Sequence, residues 1–182
     1  MKHPKQLKKS LPYDLKTIRK QAKQSIREGA VTQDYPLDLK EAHRLLNEAL
    51  ATEIMCVLRY RHHQVIATGI DRPQVAAEFA EHAVDEERHM MMIAERINQL
   101  NGNPDFNPGT VCDRTATEYG KGDNLLKLIE DDLVAERIAI MTYRQLIEWF
   151  GIADPTTRRM LEAILADEED HADDLADLIR AK

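Results

Sequence analysis

Apolar residues recur every three or four positions through four long stretches of the chain, and helix-breaking residues separate them. The first stripe runs through Leu46, Ala49, Leu50, Glu53, Val57 and Tyr60 to about Ala67, and Asp38 with Glu41 gives it a capping-box-like start. Thr68-Gly69 and Asp71-Arg72-Pro73 break and restart the chain. The second stripe follows as Val75, Phe79, His82, Glu86, His89, Ile93, Ile97 and Leu100. Residues 101–122, with Gly102, Pro104, Pro108, Gly109, Gly120 and Gly122, read as one long connection. Asp123 then caps a third stripe of Leu125, Ile129, Leu133, Glu136, Ile140, Tyr143 and Ile147, stopped near Gly151. Asp154-Pro155 opens the fourth, with Leu161, Ile164, Leu165, Glu168, His171, Leu175 and Leu178.

Four helices of this span are each roughly 40–45 Å long, a length suited to a bundle. The pattern predicts an all-α fold: two helical hairpins joined by a long crossover between helices two and three, which lets those two run parallel. Upstream, Asp14 to Gly29 predicts a short amphipathic helix with Leu15, Ile18, Ala22 and Ile26 on one face, followed by a linker at Pro36. The chain thus divides into an N-terminal arm, 1–37, and a bundle, 38–182.

Each stripe is interrupted by an ionisable residue on its apolar face: Glu53, then Glu86 with His89, then Glu136, then Glu168 with His171. Residues 85–89 read DEERH and residues 167–171 read DEEDH, so a Glu stands one helical turn before a His in both. One such pair on an acidic helix ordinarily belongs to a solvated face, and Glu87, Glu169 and Asp170 read that way. Six polar residues on core faces in duplicated register are a different matter. Glu53 precedes Glu86 by 33 residues and Glu136 precedes Glu168 by 32, which brings all six to a similar depth in the bundle. An unpartnered buried carboxylate costs several kcal/mol, and four together repel one another. Two divalent cations would neutralise them. Hard oxygen donors with one imidazole per ion suit Fe or Mn better than metals that prefer soft ligands.

Composition agrees with a helical domain: seven Gly, seven Pro and nine aromatics in 182 residues. No apolar run approaches the ~18 residues of a membrane span. The opening MKHPKQLKKS has no apolar segment after it and is not a secretory signal. Cys56 and Cys112 form neither a Cys-x-x-Cys motif nor a disulfide framework, which fits a cytoplasmic location. The net charge of −7 is split: residues 1–28 carry nine Lys/Arg against Asp14 and Glu28, or +7, leaving −14 on the remainder.

The segments LNEALATEIMCVLRY, HAVDEERH, DDLVAERIAIMTYRQL and ILADEEDHADDL resemble the four bundle helices of the bacterioferritin and Dps-like branch of the ferritin-like superfamily, over about residues 38–180. The resemblance implies metal ligands Glu53, Glu86, His89, Glu136, Glu168 and His171, with Glu86 and Glu168 bridging two metal ions. It also implies oxidation of Fe(II) by dioxygen or peroxide and storage of ferric mineral in a hollow homo-oligomeric shell. Tyr60, seven residues after Glu53, is either a core tyrosine with a satisfied hydroxyl or an electron relay.

Three departures narrow the expectation. Bacterioferritins hold haem through a Met directly after the first Glu of helix two; Glu87 stands there, which argues against haem, and Met91 one turn on reads as an apolar contact. Only eleven residues follow His171, too few for the fifth helix of a 24-subunit cage, so a twelve-subunit shell becomes a serious rival. Thioferritin-like members carry a crossover Cys, which Cys112 matches, and a second beyond the third-helix Glu-Arg, where this chain has Ile138. Cys56 reads by default as a small buried apolar residue. Rival functions are a Dps-like, peroxide-consuming DNA-protection protein whose basic arm binds DNA non-specifically, and a di-manganese catalase or di-iron oxidase without storage.

Overall fold

A computed structural model describes residues 14–24 and 26–180. The chain separates into two compact units, Met1–Tyr35 and Pro36–Lys182. In the first, Asp14 accepts a hydrogen bond from the Lys16 amide (2.9 Å) and starts α1, Leu15–Gln21. The helix expected to reach Gly29 stops after seven residues, and only a 3₁₀ turn, Ile26–Glu28, follows. No residue of α1 is buried, and helices of this length are marginal without packing.

The second unit holds α2 (Leu39–Ile66), α3 (Arg72–Gln99), α4 (Pro108–Arg114), α5 (Leu125–Phe150) and α6 (Pro155–Arg180). Among the described residues there is no strand. Asp38 caps α2 by accepting from the Lys40 amide (2.9 Å). For α5 the cap is Asn124, accepting from the Lys127 amide (3.0 Å), rather than the expected Asp123. Asp154 accepts from the Thr157 amide (2.9 Å) at the start of α6, and Gly151 closes α5 with φ +45°, a conformation that favours glycine.

α2 packs on α3 and α5 on α6, and the two hairpins meet through α3–α6 and α2–α5. One core cluster joins Tyr60, Val75, Phe79, Ala83, Leu128, Ile129 and Leu175, all buried. Each large side chain there contributes about 1.5–3 kcal/mol by leaving water.

The crossover is more ordered than a loop. Pro108 and Gly109, read as breakers, instead lie in the first turn of α4, where Asn107 accepts from the Gly109 amide (3.0 Å) and proline needs no N–H partner. Val111 packs against Ala51 and Met55 of α2. Arg114 donates to the carbonyls of Asn47 (2.7 Å) and Asp105 (3.0 Å). The crossover is thereby fastened along α2.

Candidate metal centre

Glu53 and Tyr60 on α2, Glu86 and His89 on α3, Glu136 on α5 and Glu168 and His171 on α6 are all buried. Ligand atoms of Glu53, Glu86, His89 and Glu168 lie within 4.8 Å of one another, as do those of Glu86, Glu136, Glu168 and His171. The two groups share Glu86 and Glu168 and no other residue.

Orphaned atoms lie on the same six residues. Both oxygens of Glu86 and of Glu168, Oε2 of Glu53 and of Glu136, and Nδ1 of His89 and His171 are buried without hydrogen-bond partners. Buried polar atoms are nearly always satisfied, so this concentration is what a cation pair would occupy. His89 Nδ1 stands 3.3 Å from Glu168, 3.6 Å from Glu53 and 3.7 Å from Glu86, and His171 Nδ1 stands 3.8 Å from Glu86.

A surrounding layer orients these groups. The Tyr60 hydroxyl donates to Glu136 Oε1, and the Tyr143 hydroxyl donates to Glu53 Oε1. His89 Nε2–H donates to Asp167 (3.1 Å), which leaves Nδ1 to face the centre, and His171 Nε2 faces Asp85 at 3.6 Å. Thus the Asp of each DEExH motif serves the His of the other. Each pairing runs in opposite sequence directions, 53 with 143 against 60 with 136, and 85 with 171 against 89 with 167. α2 is therefore antiparallel to α5, and α3 to α6, about one pseudo-twofold axis through the centre.

Electrostatics reflect the crowding. Burial, and then the Glu53 and Glu136 charges, push the Glu86 carboxyl well above the usual range. Glu168 is raised likewise by burial and then by Glu86 and Glu136. Burial also acts to raise Glu53, but the attraction of the neighbouring His89 imidazole, with smaller contributions from other groups, outweighs it and holds the carboxyl below its ordinary value. Burial pulls His89 down, yet the Glu53 and Glu86 carboxylates prevail and raise it to about 10. Without cations the surroundings thus favour protons on Glu86, Glu168 and His89.

Several residues of this site were not singled out from the sequence. Tyr143 lies seven residues after Glu136, as Tyr60 lies seven after Glu53, a repeat that could have pointed to it. Asp85 and Asp167 open the two repeated motifs. Immediately before Tyr60, Arg59 forms a buried ion pair with Asp132 (2.8 Å), which also contacts His63 Nδ1 (2.9 Å). Arg59 further donates to the Glu118 carbonyl (3.0 Å) and to the Cys56 sulfur (3.4 Å). Burial pushes the Cys56 thiol well up, which suits an inert thiol, while Cys112 is exposed. Glu87 and Met91 are both exposed. Among the described residues no helix is long and apolar enough to cross a membrane.

The model of the ferritin-like domain matches residues 43–181. The chain belongs to the ferritin-like family. A Mycobacterium bovis bacterioferritin is 29% identical over 131 residues, covering 71% of this chain and 78% of its own. A nutrient stress-induced DNA-binding protein of Synechococcus is 29% identical over 130 residues, covering 70% and 74%. The dodecameric thioferritin of Bacteroides fragilis, a bacterioferritin-related protein, superposes with a TM-score of 0.77 at 31% identity, covering 80% of this chain and 88% of its own. The four-helix bundle, its crossover and its bacterioferritin and Dps-like kinship accord with the reading of the sequence.

Proposed function

We propose that this ferritin-like protein oxidises Fe(II) at an intrasubunit di-iron centre and keeps the ferric product in a hollow homo-oligomeric shell. The observation that carries the reading is the pair of four-ligand groups sharing Glu86 and Glu168, with eight orphaned buried ligand atoms on the six residues. Glu86 and Glu168 would bridge two ions. Glu53 and His89 would complete one coordination set, and Glu136 and His171 the other. Carboxylates favour the higher charge of Fe(III), so electron loss is assisted by the same groups that bind Fe(II). Two Fe(II) supply two electrons; dioxygen takes them with two protons as hydrogen peroxide, or peroxide takes them with two protons as two waters.

The chain's own residues do the positioning. Tyr60 and Tyr143 each occupy one oxygen of a terminal Glu and leave the other for metal. Asp167 fixes the His89 tautomer. Tyr60, whose hydroxyl contacts both His82 and Glu136, is also placed to relay an electron. The donor set accepts Mn as well as Fe; storage is favoured over a manganese catalase by the kinship with bacterioferritins. The dodecameric thioferritin favours a twelve-subunit shell over a 24-subunit one. The Synechococcus relative's name, with the +7 of residues 1–28, supports non-specific DNA contact by the arm as a second role in the cytoplasm.

The test is iron loading. Purified protein is given Fe(II) in air, sized by light scattering and assayed for iron. A defined oligomer that takes up hundreds of irons supports storage; uptake that stops at two per subunit overturns it.

A further inference from the structure

An acidic depression of about 210 Å³ opens beside the centre, and His82 projects into it from α3 without belonging to the six-residue set. The His82 side chain is buried and stacks on His171, with ring centroids 4.1 Å apart and an interplanar angle of 22°. Its Nδ1 lies 3.2 Å from the Tyr60 hydroxyl. That hydroxyl has one proton and donates it to Glu136, so its oxygen accepts from His82 Nδ1–H. The tautomer follows: Nε2 carries the lone pair. Nε2 has no hydrogen-bond partner, although Glu78 Oε1 stands at 3.3 Å and Asp174 Oδ2 at 3.9 Å. A nitrogen lone pair aimed at two carboxylate oxygens is repulsive unless a proton or a metal cation lies between them, and the space between three ligand atoms suits the metal.

The internal duplication supplies a comparison. An offset of 82 residues carries Glu86 onto Glu168 and His89 onto His171. The same offset carries Glu78 onto Met160 and His82 onto Ile164, and it carries Asp174 back onto Met92. The scaffold therefore tolerates an apolar side chain at all three places. Only one side of the pseudo-twofold axis carries the imidazole and the two carboxylates, so bundle packing does not explain them.

We propose that Glu78, His82 and Asp174 form a third, mononuclear site for a divalent first-row cation at the mouth of the di-iron centre. Ligand atoms of the three lie within 4.8 Å of one another. The Glu78 and Asp174 side chains are 28% and 57% exposed, so water completes the coordination and exchange with solvent is open. His82 joins the mouth to the centre through Tyr60 and Glu136. A cation held there waits one stacked imidazole away from His171.

The experiment uses Co(II) with full-length protein stripped of metal, under argon, in equilibrium dialysis with metal analysis. Wild type is compared with the E78Q/D174N double variant, whose amides keep the shape of the two carboxylates. The expected result is three Co(II) per subunit in wild type and two in the variant. Anomalous diffraction from a Co(II)-soaked wild-type crystal should add a peak bonded to His82 Nε2, a readout that needs no variant. Equal stoichiometry together with no peak at Nε2 overturns the proposal, and leaves a proton on Glu78 to face Nε2 in the cation's place. Failure of the di-iron reading looks different: wild type then binds one Co(II) and the variant none.

Discussion

The Tyr143 hydroxyl donates to Glu53, a residue ninety positions earlier in the chain, across the interface of α5 and α2. Tyr60 returns the contact to Glu136. Each hairpin therefore holds a buried carboxylate of the other. Tyr143→Phe removes the donor and leaves Glu53 Oε1 without its partner. Groups that orient metal ligands typically contribute 10–100-fold to affinity. The variant is expected to bind Fe(II) or Co(II) about tenfold more weakly, read by calorimetry, while its helix content stays unchanged.

Asp167 plays the corresponding part for His89 and is 35% exposed. Asp167→Asn keeps the volume but can present an N–H toward Nε2, which favours the tautomer with a proton on Nδ1. Metal affinity is expected to fall about 10–100-fold with little loss of stability. A competition titration against a coloured chelator checks this; unchanged affinity would remove Asp167 from the site.

Protonation at the centre makes a prediction about pH. The Glu86 and Glu168 carboxyls are raised well above their ordinary range and His89 is raised to about 10, so the metal-free centre holds protons that the unfolded chain would release. A group raised in the folded state contributes stability below its unfolded pKa and loses it as pH climbs through the folded value. Metal-free protein is therefore expected to lose thermal stability progressively as pH rises above the ordinary Glu range, about 4, up to about 10, where His89 releases its proton. The lowered groups Glu53, Asp85 and Asp167 act in the opposite sense, but only at acid pH. Cation binding displaces the protons, on the order of two per centre, and should flatten the profile. Proton release in lightly buffered solution on adding Co(II) measures the same event directly.

Asp132 holds Arg59 and His63 in a buried network next to Tyr60. Asp132→Ala strands both partners and should lower stability by about 3–5 kcal/mol. Urea unfolding of metal-free protein measures it. Cation stoichiometry should persist in the folded fraction, since Asp132 touches none of the six centre residues.

The period-3.6 stripes disclosed the four long helices because their apolar positions repeat over many turns. The six centre residues were legible for a related reason: an acid or imidazole on an apolar stripe is conspicuous. Asp132 and Arg59 escaped because a charged residue looks the same in sequence whether solvent or a partner 73 positions away receives it. His82 sat in the second stripe as a core position, and its neighbours Glu78 and Asp174 come from helices far apart in the chain. α4 was hidden by Pro108 and Gly109, which mark a loop or a helix start depending on whether a cap such as Asn107 precedes them. The first helix fell short because periodicity alone does not supply a surface to pack against.

The most direct test of the account is the rate of Fe(II) oxidation in air, followed by ferric absorbance, for wild type and Glu86→Ala. Glu86 belongs to both four-ligand groups, so its loss should disable both ions at once. Wild type is expected to oxidise Fe(II) rapidly, and the variant at a rate near that of free Fe(II). Equal rates in the two proteins would contradict the di-iron centre itself.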